Sequence, residues 1–263
     1  MADHTLRIGF AGDRDIAVNV LAHLLQLGDR PVVLLLPDAD RASDDATLLR
    51  LCEKGGQHPV VVRASELDSP STVQRLHALR LDFLICVHFQ SFIRRPVLDT
   101  ARRGVLNLHP AFLPFNRGWH TPSWAILDGT PAGASLHFMT DGLDDGDVVH
   151  QEEIAIGPAD TAHTLYAKLK DLELRVFVEG WRRLKEGYVR PRRQAGARAT
   201  FHRRRDLFDA SVQKIELEQL VKASDLLRRL RALTTDRLDE AAYFEAGDCR
   251  YRVQVTITPE GSA

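Results

Sequence analysis

The stretch PVVLLLP, Pro31 to Pro37, decides the reading of the fold. Its unbroken apolar run opens on two valines and is closed by a proline at each end, which suits a strand buried on both faces. Upstream, LRIGFAG (Leu6–Gly12) is a short apolar run ending in glycine. DRDIAVNVLAHLLQLG (Asp13–Gly28) then spaces its apolar residues as a helix does and stops at Gly28. Downstream the alternation continues. DATLLRLCEKGG (Asp45–Gly56) reads as a helix, HPVVVRA (His58–Ala64) as a strand, and SPSTVQRLHALR (Ser69–Arg80) as a helix with Ser69 and Pro70 at its cap. DFLICVHF (Asp82–Phe89) and GVLNLHP (Gly104–Pro110) are further strands, separated by the short helix IRRPVLDTAR. Strands alternating with helices predict an α/β fold: a doubly wound, mostly parallel sheet covered on both faces, with right-handed crossovers. In such sheets ligands sit beyond the carboxyl ends of the strands, where Asn107 and His109 fall.

The pattern changes after residue 129. AGASLHFM (Ala132–Met139) and DVVHQEEIAI (Asp147–Ile156) alternate polar with apolar, as half-exposed antiparallel strands do, and TDGLDDG joins them as a β-hairpin extension. A long amphipathic helix starts near Thr161. Beyond it the chain is loop-like and basic, then ends in a helix, LEQLVKASDLLRRLRAL, and a strand, YRVQVTIT. Residues 1–185 are therefore expected to form the main domain, and residues 186–263 a basic loop with a small carboxyl-terminal extension.

A chain of 263 residues, 44% hydrophobic and 27% charged with a net charge of −1, is an ordinary globule with no global preference for a polyanion. Its three cysteines lack CxxC spacing and are odd in number, which argues for free thiols and against a disulfide frame or zinc knuckle. The opening MADHTLRIGF carries acid and is not read as a signal peptide, and no apolar run is long enough to span a bilayer. A cytoplasmic protein is expected.

Two familiar site readings fail on local chemistry. GFAGDRD is not G-x-G-x-x-G, and Asp13 and Asp15 would repel a pyrophosphate, so no dinucleotide cofactor is expected. DGLDDGD carries Asp141, Asp144, Asp145 and Asp147, and Asp141, Asp145, Gly146 and Glu152 match four positions of a calcium-binding EF-hand loop. But Leu143 stands where a ligand should, and strand-like flanks replace the helices. No metal is expected.

What remains is a set of three polar groups at one sheet edge: Asn107, His109 and an aspartate of the acidic loop. A carboxylate fixes an imidazole's tautomer and raises its basicity. An amide can donate to an oxygen that becomes negative when a carbonyl is attacked. There is no Gly-x-Ser-x-Gly, and Cys86 lies mid-strand, so the set suits direct attack by a substrate amine on an acyl donor, without a covalent enzyme intermediate.

NLHPAFLP, then Arg117-Gly118, then GLDDGD resemble, in that order, the motifs of the formyltransferases that use 10-formyltetrahydrofolate. The resemblance covers roughly residues 6 to 185. It implies that Asn107, His109 and Asp144 are catalytic. It also implies a folate pocket lined by Val87, His88, Phe89, Gln90 and Phe92, largely through backbone groups, and by Asp141 and Gly142 of the hairpin loop. The acceptor is read from HPAFLPFNRGWH, which looks like the members that formylate nucleotide-linked amino-deoxy sugars for surface polysaccharides such as the lipopolysaccharide O-antigen. Members acting on methionyl-tRNA usually read His-Gly-Ser-Leu-Leu-Pro and end in a β-barrel. On the sugar reading, Asn116, Arg117, Trp119 and His120 contact the acceptor, and neither nucleic acid nor membrane is a partner. The alternatives are a methionyl-tRNA formyltransferase or a non-catalytic folate- or nucleotide-binding module, and the second is disfavoured by the complete triad. The basic stretch Arg182 to Arg205 holds ten Lys/Arg against one Glu. It suits tRNA phosphates, a sugar-nucleotide diphosphate or a solvated face. The apolar tail beyond it, together with the resemblance, implies a homodimer.

Overall fold

The computed structural model describes residues 6–261. The reading that the chain opens without a signal peptide rests in part on residues 1–5, which lie outside the described residues. The chain runs β1 (Ile8–Gly12), α1 (Arg14–Gln26), β2 (Pro31–Leu36), α2 (Asp45–Lys54), β3 (Val60–Arg63), α3 (Pro70–Ala78), β4 (Phe83–Val87), α4 (Arg95–Leu98) and β5 (Val105–His109). There follow β6 (Arg117–Gly118), α5 (Thr121–Asp128), β7 (Ala132–Phe138), β8 (Val148–Ile154), α6 (Ala162–Lys185), β9 (Phe201–His202), α7 (Ala210–Gln213), α8 (Ala223–Ala232), β10 (Ala242–Ala246) and β11 (Cys249–Val253). One sheet of seven strands has the order β3-β2-β1-β4-β5-β7-β8. The pairs from β3 to β5 are parallel, and β7 runs antiparallel to β5. The order reverses direction at β1, whose neighbours β2 and β4 lead to opposite edges, so the carboxyl ends of β1 and β4 form the switch point of the sheet.

The proline-bounded run is an interior strand: β2 is buried at every residue but Val32. α3 starts where the cap was read, with Ser69 Oγ accepting from the Thr72 amide at 3.2 Å. The far end of α6 is held against the sheet by Trp181, which is fully buried, meets Phe83 edge-on at 5.6 Å and donates from Nε1 to Asp29 Oδ2 at 2.8 Å. Burying such a side chain stabilises the fold by roughly 1.5–3 kcal/mol or more.

Three expectations need correction. β7 is not half-exposed: it is buried at six of its seven residues, because β5 and β8 flank it and make it an interior strand. The last strand does not run over Tyr251–Thr258 but ends at Val253, and it pairs antiparallel with β10, a strand absent from the sequence reading. The last helix is also shorter than the run from Leu217 to Leu233, starting only at Ala223.

Contacts divide the chain into two compact units. The first comprises the residues up to His109, Ser135–His150 and Glu173–Gln194. The second comprises Pro110–Ala134, Gln151–Leu172 and Ala195–Ala263. The first is centred on β1, β2, β4 and β5, with Leu35, Leu84, Cys86 and Val97 in its core. The second gathers Trp124, Leu207, Leu233 and Ala242. No helix among the described residues is long and apolar enough to cross a membrane.

Candidate active site

β5 places Asn107 and His109 two residues apart, so both side chains leave the same face of the sheet. Asp144 comes to them from the loop between β7 and β8. Its backbone is left-handed (φ 47°), and that loop is held by Gln194, whose Nε2 donates to the carbonyls of Asp144 at 2.8 Å and Gly146 at 2.7 Å. Gly146 is required there, since a Cβ would fall on the Phe138 carbonyl oxygen. Asp144 then divides its carboxylate: Oδ1 accepts from Asn107 Nδ2 at 3.2 Å, and Oδ2 stands 3.6 Å from His109 Nε2. His109 is 6% exposed, so the approach of Asp144 acts on it with little screening by water. The three residues read from the sequence as one set lie together within the first unit.

His137 was missed by the sequence reading. It is fully buried on β7, directly opposite Asn107 in the register, with Nε2 3.2 Å from Asn107 Nδ2. The only signal in the sequence was a histidine in a strand read as half-exposed, and it is burial in an interior strand opposite Asn107 that gives it a hydrogen-bonding reason. Gln194, in an irregular basic segment, gave no such signal.

The segments read as the donor pocket are neighbours. The run after β4 starts at the switch point, and Arg95, which opens α4 just beyond it, lies 3.4 Å from Asp141 Oδ2 of the hairpin loop. Val87 is buried, while Phe89 packs against the core and Phe92 is 62% exposed. The oxygen of the exposed Gln90 side chain is engaged: turned to satisfy both groups, it accepts from Arg14 Nη2 at 2.9 Å and Nε at 3.2 Å. A Cβ on Gly142 would strike the Asp145 carboxylate, so a larger residue there would displace that exposed side chain. Exposed Phe92 and Leu143, at 62% and 40%, offer apolar faces beside backbone amides and carbonyls. That combination fits a flat heteroaromatic ring with paired donors and acceptors.

The residues read as acceptor contacts lie in the second unit. Asn116 is 1% exposed, donates from Nδ2 to Thr130 Oγ1 at 2.8 Å and donates from its backbone amide to Thr200 Oγ1 at 2.8 Å. Those bonds give it a turn-holding role (φ 54°). His120 is also engaged, with Nε2 3.2 Å from the Arg204 carbonyl and Nδ1 3.6 Å from Glu240, whose carboxyl burial holds above its ordinary range. Trp119 is half-buried, with the Arg204 guanidinium 5.4 Å from its ring centroid. Arg117, also half-buried, opens β6.

The arrangement limits the chemistry. Burial pushes the Cys86 thiol far above its ordinary value, so it is no nucleophile. No cluster of His, Cys, Asp or Glu among the described residues could hold a metal ion. The acidic loop is flanked by β7 and β8 rather than by the helices of an EF-hand. What the first unit offers is an amide donor, an imidazole and an orienting carboxylate at the edge of an apolar core. That set can stabilise a tetrahedral oxyanion and carry a proton.

The sequence model of the family described as formyl transferase matches residues 32–180, and that of the N-formyltransferase dimerization C-terminal domain matches residues 208–259. The chain is 28% identical over 208 residues to the dTDP-4-amino-4,6-dideoxyglucose formyltransferase of Mycobacterium tuberculosis, covering 79% of this chain and 85% of that protein. It is 30% identical over 237 residues to a methionyl-tRNA formyltransferase of Desulfotalea psychrophila, covering 85% of this chain and 72% of that one. A sugar N-formyltransferase structure from a Shewanella species superposes with a TM-score of 0.80 at 17% identity, over 98% of this chain and 100% of the other. At that identity the likeness is one of fold.

Proposed function

This chain belongs to the formyl transferase family, and we propose that within it the protein moves a formyl group from 10-formyltetrahydrofolate to the amine of a nucleoside-diphosphate-linked amino-deoxy sugar. The amine attacks the formyl carbon. Asn107 donates to the oxyanion, and His109, oriented by Asp144, takes a proton from the attacking nitrogen. The carbon–nitrogen bond to the donor then breaks, and the proton passes to the departing folate nitrogen. Products are a formamide and tetrahydrofolate, with no net oxidation and no enzyme-bound acyl group.

The observation that carries the chemistry is the division of the Asp144 carboxylate between Asn107 and His109, at 3.2 Å and 3.6 Å. The choice of a sugar acceptor is supported by the carboxyl-terminal match to an N-formyltransferase dimerization domain and by the likeness to the mycobacterial sugar enzyme. The tRNA-directed reading is the second one, supported by the likeness to the Desulfotalea protein. On the favoured reading the protein works in the cytoplasm as a homodimer paired through residues 208–259, supplies surface polysaccharide synthesis and needs neither membrane nor nucleic acid. The test is formyl transfer from 10-formyltetrahydrofolate to a panel of amine-bearing sugar nucleotides and, in parallel, to methionyl-tRNA. Turnover on one sugar nucleotide but not on tRNA supports the proposal, and the reverse replaces it.

A further inference from the structure

We propose that Glu173 is a positioning residue for the formyl-donor site and acts through His88; this inference rests on the folate-dependent reading above. His88 is the first residue past β4, at the switch point of the sheet, and its φ is 51°. A residue with a Cβ stays in the left-handed region only where its surroundings hold it. Here the hold comes from α6: His88 Nε2 lies 2.7 Å from Glu173 Oε1. A carboxylate oxygen accepts, so the ring carries its hydrogen on Nε2.

Glu173 is an expensive residue for its place. It is 0% exposed, its one hydrogen bond among the described residues is to His88, and its second oxygen is buried without a partner. An apolar side chain of similar volume would fill the same space without burying an unsatisfied oxygen. What the acid adds is the direction in which it holds His88, and His88 opens the segment that leads to Phe92. Other groups grip that segment from the β1 side: the Asp13 amide donates to the Val87 carbonyl at 3.3 Å, and Arg14 holds the Gln90 side chain. None of these reaches it from α6, so Glu173 is not duplicated by them. Its removal should loosen the donor segment while the core closes over an apolar replacement. A defect confined to donor binding follows, with fold, acceptor binding and chemistry spared.

The test compares the full chain with Glu173→Leu, Glu173→Gln and His88→Asn. Four quantities are read: melting temperature, amide hydrogen exchange of Phe89 to Phe92, equilibrium binding of 5-formyltetrahydrofolate, and KM for donor and acceptor. Glu173→Leu, which leaves the buried Nε2–H of His88 without its acceptor, is expected to fold but melt somewhat lower than the parent, to exchange those amides about 10-fold faster and to bind the folate about 10-fold more weakly. Its donor KM should rise by a similar factor, with kcat and acceptor KM within about twofold. Glu173→Gln, whose amide oxygen still accepts from His88, should restore both exchange and binding. His88→Asn tolerates the left-handed backbone but does not reach Glu173, and should follow Glu173→Leu. Parent-like exchange and folate binding in Glu173→Leu and His88→Asn would overturn the inference, as would a defect that Glu173→Gln does not repair. If the parent itself binds no folate, the functional reading falls and takes the donor role with it. If the parent binds and the variants bind as well, only the inference about Glu173 falls.

Discussion

Asn107 and His137 face each other across the β5–β7 register with Asn107 Nδ2 3.2 Å from His137 Nε2. His137 Nδ1 lies 2.8 Å from the Phe138 carbonyl, which only accepts, so Nδ1 carries the hydrogen and Nε2 of the neutral ring accepts from Asn107. The other Nδ2 hydrogen goes to Asp144 Oδ1. Both donors of the amide are thus engaged, and on the proposed mechanism one must change partner to meet an oxyanion. Asp144 is the partner that can release it, because its other oxygen already stands 3.6 Å from His109 and closes on that ring as it gains charge.

His137 therefore fixes the amide while Asp144 exchanges. His137→Phe keeps the ring volume but removes the acceptor, leaving Asn107 free to rotate. The expected outcome is a fall in kcat of about 10-fold, with both KM values little changed. Steady-state kinetics with a folded variant checks it, and parent-like turnover would show that Asn107 needs no such hold.

On the proposed mechanism, Asn107→Ala removes the oxyanion donor and His109→Ala removes the proton carrier. The first is expected to lower kcat by about 10²–10³, and the second by about 10²–10⁴. Both variants should bind the folate donor as the parent does. Near-normal turnover in either, measured by release of tetrahydrofolate, removes that residue from the mechanism.

The strands and helices up to β5 were legible because each carries its own periodicity and stop signal. PVVLLLP needs no tertiary context to read as a buried strand, and Ser69-Pro70 announces a helix start. β10 was illegible for the opposite reason: AAYFEA is short, and it is a strand because β11 and the Lys214–Ile215 segment pair with it. Asn107, His109 and Asp144 could be read as one set because their motifs form a known pattern, whereas His137 becomes visible only once the register sets it opposite Asn107. Asn116 carries a role that its sequence did not announce: proximity to His109 made it look like a ligand group, and its buried side chain also holds the turn through Thr130.

Acid should weaken the second unit through His202. Its ring stacks on Trp124 with centroids 3.9 Å apart, and its Nε2 is 3.2 Å from Asp128 Oδ2 without the alignment of a hydrogen bond. Burial lowers its pKa below the ordinary 6.5, outweighing Asp128, so the folded state favours the neutral ring. The unfolded chain then binds the proton more readily, and stability is lost as pH falls below 6.5 towards the folded value. The melting temperature should drop over that window, and His202→Phe, which keeps the stack, should flatten the slope. An unchanged slope in that variant assigns the acid sensitivity elsewhere.

Self-association is expected to run through the carboxyl-terminal extension. Leu217, Leu220, Val221 and Leu227 are 59%, 100%, 53% and 51% exposed, within the stretch that matches a dimerization domain. Exposed leucines gathered in one short segment mark a surface that a two-fold partner would cover. Leu220→Glu with Val221→Glu should turn a dimer into a monomer in sedimentation velocity at micromolar concentration, without lowering helix content. A monomeric parent at that concentration would count against the pairing.

Acceptor recognition is the last expectation and rests on Trp119. The backbone on either side of it is pinned: its amide donates to the His202 carbonyl at 3.0 Å, and the His120 ring is engaged by Arg204 and Glu240. Substituting His120 would therefore mix damage to that network with any loss of binding. Trp119 is the cleaner probe, because its half-buried indole touches a cation rather than the core cluster of its unit. An indole face suits a nucleobase or sugar ring, and the Arg204 guanidinium beside it suits a phosphate oxygen. Trp119→Ala should raise KM for the amino-sugar nucleotide about 10-fold or more while donor KM stays within about twofold, and Trp119→Phe, which keeps a stacking face, should recover part of the loss. Equal weakening for donor and acceptor would make Trp119 a structural residue. Efficient formylation of methionyl-tRNA by the parent, with no turnover on any amino-sugar nucleotide, would overturn the sugar assignment itself.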